Sequence, residues 1–204
     1  MGAPLAVEIA AAAARLVVTE GMEYGAAKRR AARALARHSV RAADLPSNAV
    51  VEDEVRDYLA LFCADTQMHE LAALRRLALQ WMERLAEFRP HLSGAVWRGT
   101  ATRLSAIHVD LYCDDSKSAE IALINLGVDY DIASRADNHG GRAGERAVLS
   151  LAAPSAELGE AVALHLAILD HDDLRGALMP DAQGRSWRGD AAALRHLLQP
   201  RARE

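Results

Sequence analysis

Aromatic residues are scarce in this chain: two Phe, three Trp and four Tyr make up 4% of 204 residues. A core must therefore be assembled from Leu, Val, Ile and Ala, and so much Ala, the strongest helix former, predicts a helix-rich fold. Cysteine is almost missing. Cys63 and Cys113 stand far apart with no CxxC spacing, which excludes a disulfide framework and a structural zinc site and suits a reducing compartment. A basic excess is also lacking: the net charge of -4 excludes a globally basic nucleic-acid binder and leaves room only for a local basic patch. No apolar run reaches the roughly 18 residues that span a bilayer. The Ala-rich start has no basic leader and carries Glu8 and Arg15, so it reads as an amphipathic helix rather than a signal peptide. The expectation is a soluble cytoplasmic protein.

What is present points to a folded chain. Hydrophobic residues at 51% with charged residues at 25% exclude disorder, and the length suits one domain or two small ones. All basic residues except Lys28 and Lys117 are Arg, a bias that reads as the codon usage of a GC-rich bacterial genome.

Residues 5–19 and 22–38 read as helices, and Ser47 or Asn48 caps a third running to Cys63. The clearest helix spans Thr66 to Phe88. There Leu71, Leu74, Ala78, Trp81, Leu85 and Phe88 recur at three- and four-residue spacing, until Pro90 ends it. Beyond Pro90 the period changes. Ser93–Arg98, Ile107–Cys113, Val128–Ala133, Arg146–Ala152 and Ala161–Leu169 read as strands. Ser116–Leu126 is a helix closed by Gly127, the stretch RADNHGGRAGE is a hairpin loop, and Asp190–Leu198 is a last helix. The predicted class is α/β (α+β): a helical region, 1–90, packed on a mixed or antiparallel sheet in 91–204.

The segment richest in chemistry is Gly94 to Asp115, GAVWRGTATRLSAIHVDLYCDD. Gly at a strand end lets a phosphate approach backbone N–H groups, and Arg98, Thr100 and Ser105 add donors. His108 and Asp110 share one strand face. Metal-ligating side chains beside a phosphate-cradling turn suit metal-assisted nucleotidyl transfer. Each feature also has a plainer explanation. The glycines serve as turn residues, His108 bonds a backbone carbonyl, Asp110 pairs with an arginine such as Arg103, and Asp114 and Asp115 open the next helix.

This segment resembles the active-site signature of nucleotidyltransferases of the DNA polymerase β superfamily, in which Gly-Ser, a spacer with a second Gly and Ser-Asp-hydrophobic-Asp follow one another. Gly94, Arg98, Gly99, Thr100, Ala101, Ser105 and Ile107 fall on it without gaps. Ala95 stands where the family has Ser, and Ala106 and His108 stand where it has its two metal-binding aspartates; a shift of two residues gives His108-Val109-Asp110 instead. The third carboxylate strand corresponds to VALHLAILD, which offers His165 and Asp170. The resemblance implies transfer of a nucleoside monophosphate from an NTP, ATP foremost, to an acceptor hydroxyl. Gly94, Arg98, Gly99, Thr100 and Ser105 would hold the triphosphate. His108, Asp110, His165 and Asp170 would hold a divalent metal, Mg²⁺ or Mn²⁺, the imidazoles favouring Mn²⁺. The altered carboxylate positions equally imply a catalytically inactive module of that fold that binds nucleotide, RNA or a protein partner.

Two further features stand apart. Asp170, His171, Asp172 and Asp173 follow a strand, unlike the all-helical His-Asp phosphohydrolases, and read as an exposed acidic turn. Lys28 to Arg41 holds six basic residues and no acid. On a helix Arg29, Arg33 and Arg37 form one ridge, suited to tracking the phosphates of RNA or to pairing with the acidic run Glu52, Asp53, Glu54 and Asp57.

Overall fold

A computed structural model describes residues 4–36, 41–113, 115–137, 144–174, 179, 184 and 186–199. The chain divides into two compact units, residues 1–70 with 100–105 and residues 71–99 with 106–204. The division differs from the expected cut at residue 90: it falls in the first turn of a helix, and a short later segment belongs with the N-terminal unit.

That first unit is helical. α1 (Leu5–Glu20), α2 (Tyr24–Leu35) and α3 (Asn48–Phe62) share a core of Ile9, Ala13, Val17, Ala27, Val51 and Val55. Alanine on the facing surfaces, Ala10, Ala14, Ala31 and Ala32 included, lets helix backbones approach closely, which is how a core forms with few aromatics. Gly21 ends α1 at φ +65°, where a Cβ would lie 2.5 Å from the Leu104 carbonyl oxygen. The Ser47 hydroxyl accepts from the Val50 N–H and starts α3. Glu52, buried on α3, pairs with Arg56 at 2.7 Å one turn on.

Segment 100–105 is tied into this unit by polar contacts. The Thr100 hydroxyl meets the Tyr24 hydroxyl at 3.3 Å, the Gln67 amide donates to the Ala101 carbonyl at 3.0 Å, and the Arg103 N–H donates to Glu70 at 2.9 Å.

In the second unit α4 (Gln67–Arg84) buries Leu74, Ala78 and Trp81 of the expected stripe, with Leu77 and Met82 beside them, and a 3₁₀ turn continues it to Phe88. The sheet is mixed, as expected. Its six strands run in the order β3-β4-β5-β2-β1-β6, where β1 is His91–Ser93, β2 Ile107–Tyr112, β3 Asp131–Asp137, β4 Gly144–Ser155, β5 Glu160–Leu169 and β6 Arg188–Gly189. β2 and β5 are parallel and every other pair is antiparallel. The expected strand Ser93–Arg98 is instead the last residue of β1 and a short helix, α5 (Gly94–Arg98), between Gly94 at φ +67° and Gly99 at φ +82°. α6 (Ser116–Asn125) and α7 (Ala191–Leu198) begin at Asp115 and Asp190, whose carboxylates accept from Lys117 and Ala193 N–H groups.

Strand alternation gives the sheet two unlike faces. Ile107, Val109 and Leu111 of β2 lie level with Leu164 and Leu166 of β5 and Leu149 and Leu151 of β4, and all are buried. The opposite face is polar. Among the described residues no helix is long and apolar enough to cross a membrane.

Candidate functional site

One row of polar residues crosses the entire sheet on its second face. Successive register partners place Asp131 of β3 beside Ser150 of β4, Ser150 beside His165 of β5, His165 beside His108 of β2, His108 beside Ser93 of β1, and Ser93 beside Arg188 of β6. One step along β2, Asp110 sits level with His91 of β1 and Ala167 of β5, and Tyr112 follows on the same face. Half of this row was legible: the alternation of IHVDLYC placed His108 and Asp110 together, and the β5 sequence placed His165 at mid-strand.

An ion pair lies on this face. Arg188 holds the Asp110 carboxylate at 3.0 Å and donates to the Tyr112 hydroxyl at 2.8 Å, and both charged groups are largely withdrawn from solvent. The acid's expected partner, Arg103, is instead exposed in the helical unit. Burial lifts the Asp110 carboxyl above its ordinary range, against the pull of Arg188, Arg146, His108 and His91. Burial likewise raises the Tyr112 phenol. For Arg188, burial works against the charge, but Asp110 and Tyr112 outweigh it and hold the guanidinium more firmly protonated. The His91 ring meets Tyr112 edge-on at 5.3 Å, and its Nδ1 lies 2.8 Å from the Arg89 carbonyl.

His108 and His165 face each other, ring centroids 5.1 Å apart, and His165 Nδ1 lies 2.8 Å from the Ser150 hydroxyl. Gly94 belongs to this neighbourhood for a packing reason: a Cβ there would press on the His108 ring at 3.3 Å.

These contacts decide how far the expected ligand sets are gathered. His108, His165 and Asp110 share the face, but Asp110 is engaged by Arg188. Asp170 is exposed beyond the end of β5, its carboxylate accepting from the Asp172 N–H and shaping the acidic 3₁₀ turn His171–Asp173. Among the described residues no three His, Cys, Asp or Glu side chains come together as a metal site. The expected divalent-metal ligands therefore do not fit a metal ion as they stand among the described residues.

The expected triphosphate cradle is divided as well. Gly94, Arg98 and Gly99 belong to the sheet unit, whereas Thr100 and Ser105 belong to the helical unit. There Ser105 accepts from the Thr102 N–H at 3.0 Å, a turn-closing contact. Gly99 caps α5, and the Arg98 guanidinium lies over the Trp187 ring at 3.8 Å.

Sequence reasoning missed His91, Arg146, Ser150 and Arg188. Alternation within HLS and within RAVLS was the available signal for the first three. β6, at two residues, carries no pattern at all.

On α2, Arg29 and Arg33 are exposed and make no ion pair among the described residues, while Arg37 lies outside them. Lys28 donates to Asn48 and the Pro46 carbonyl, Arg30 pairs with Glu20, and Glu52 pairs with Arg56.

No family model matches this chain, and neither does any curated protein or solved structure.

Proposed function

We propose that this chain is a nucleotidyltransferase-fold module that binds a nucleoside triphosphate on the polar sheet face by charge complementarity rather than through carboxylate-bound metal ions. The observation that carries the reading is the Asp110–Arg188 ion pair. The one buried acid of β2 is held by an arginine, within the field of Arg146, His108 and His91. A face whose buried Asp110 is already paired, and on which Arg146 and the imidazoles of His108 and His165 stand among Ser93, Ser150 and Asp131, attracts polyphosphate more readily than a metal ion.

Support for the fold reading comes from β1, α5 and β2 joined through Gly94 and Gly99, with a parallel strand, β5, bringing His165 level with His108. Metal-dependent transfer of a nucleoside monophosphate draws less support, because the residues at the carboxylate positions do not assemble. Cys63 and Cys113 form no disulfide among the described residues, which suits a cytoplasmic setting. Arg29 and Arg33, exposed and with no ion pair among the described residues, favour RNA as a second partner, held by phosphate contacts alone.

A thermal-shift series on metal-stripped protein with ATP tests the reading, since a ligand that binds only the folded state raises the midpoint. A shift retained in EDTA is expected; no shift at millimolar ATP, or one that appears only with Mg²⁺ or Mn²⁺, overturns it.

A further inference from the structure

We infer that Ser150 is an activated nucleophile that accepts a nucleotidyl group from the bound nucleoside triphosphate, with His165 as its general base. The inference rests on the nucleotide-binding reading and goes beyond it, because binding alone needs no nucleophile.

The geometry begins with β4 and β5. Ser150 and His165 are direct register partners on one sheet face, and the hydroxyl lies 2.8 Å from Nδ1. That is the reach at which an imidazole takes a hydroxyl proton during attack. Neither side chain is sealed in the core or fully exposed, so an electrophile can arrive while the pair keeps its contact. His165 is in turn held between Ser150 and the His108 ring, the third group that fixes a base in orientation.

The direction of the ligand follows from where the cations stand. Arg146 lies on the same strand as Ser150, four residues back on the same face, about 13 Å along β4. It acts on Asp110 and Tyr112, as does Arg188, so both guanidinium groups gather at the Tyr112 end. A triphosphate drawn to them by its β- and γ-phosphates leaves its α-phosphorus toward Ser150.

The step balances on these groups. Ser150 Oγ forms a bond to the α-phosphorus, and the bond from that phosphorus to the bridging oxygen breaks. Pyrophosphate departs with the electron pair toward the arginines, and the hydroxyl proton passes to His165 Nδ1 and then to water. The product is a Ser150 phosphodiester.

The experiment incubates the full chain with ATP, in EDTA and in Mg²⁺, and reads intact mass and the modified peptide, with calorimetric ATP binding measured on the same sample. The expected result is a gain of one AMP on the peptide carrying Ser150. Ser150→Ala abolishes the adduct, and His165→Gln slows its formation by about 100-fold or more, while both variants keep the wild-type circular dichroism. Peptide mapping of the wild type needs no variant to fold. ATP binding without an adduct, or an adduct on another residue, overturns this inference and leaves the nucleotide-binding reading intact. Absence of both binding and adduct overturns the two together.

Discussion

Asp110 on β2 and Arg188 on β6 meet at 3.0 Å across the intervening strand β1. Both are largely buried, so each charge depends on the other for solvation that water would otherwise supply. Removing one partner leaves the other uncompensated. Arg188→Met is therefore expected to destabilise the sheet unit by about 3 kcal/mol, and the double change Asp110→Leu with Arg188→Met to recover most of that loss. Urea denaturation of the three proteins measures it; a double variant as unstable as the single would contradict the pairing.

The same acid gives the protein a distinct pH signature. Burial raises the folded-state pKa of Asp110 above its ordinary 3.8, so above that pH the native state retains a proton that the unfolded chain has released. Stability contributed by this group is thus full below 3.8 and declines as pH rises through the elevated value. The difference between wild type and Asp110→Asn, followed by urea midpoint from acid upward, is expected to move against the wild type over that window. A difference independent of pH would contradict it.

Gly189 has no room for a side chain. A Cβ there would sit 2.0 Å from the Trp97 ring, whose indole N–H donates to the Ser186 carbonyl at 3.0 Å. Gly189→Ala is expected to displace the indole, red-shift tryptophan emission and cost about 1–3 kcal/mol as overpacking does. Unchanged emission and stability would mean that β6 and α5 are not packed as described.

Much of the fold was legible because it follows local periodicity. The Leu71-to-Phe88 stripe, the Ser47 cap and the alternation of β2 are short-range signals, and each reappears in the structure. Val96 and Trp97 misled the reading of 93–98, since β-favouring side chains say little across five residues flanked by glycines that set the chain direction. The candidate site was half legible for the same reason. His108, Asp110 and His165 lie on patterned strands, but Arg188 lies on a strand too short to have a pattern, and nearness in sequence made Arg103 look like the partner. Thr100 and Ser105 looked like cradle residues beside Gly99, although only long-range contacts to Tyr24, Gln67 and Glu70 decide which unit they join.

The α2 ridge carries its own expectation. With Arg29 and Arg33 exposed and no ion pair closing them off among the described residues, single-stranded RNA is expected to bind weakly and to be released as salt rises. Fluorescence anisotropy of a labelled oligonucleotide measures this, and Arg29→Glu with Arg33→Glu is expected to abolish it. Wild-type protein that retains no RNA at low salt would remove RNA from the account.

The central claim is that the sheet face holds polyphosphate through its own cations. Calorimetric titration of ATP into metal-stripped protein in EDTA, repeated with Arg146→Ala, tests it most directly. The account predicts measurable binding in EDTA that weakens by about tenfold or more when one charge-assisted contact is lost. Binding that appears only when a divalent metal is supplied, and that ignores the Arg146 substitution, would contradict it.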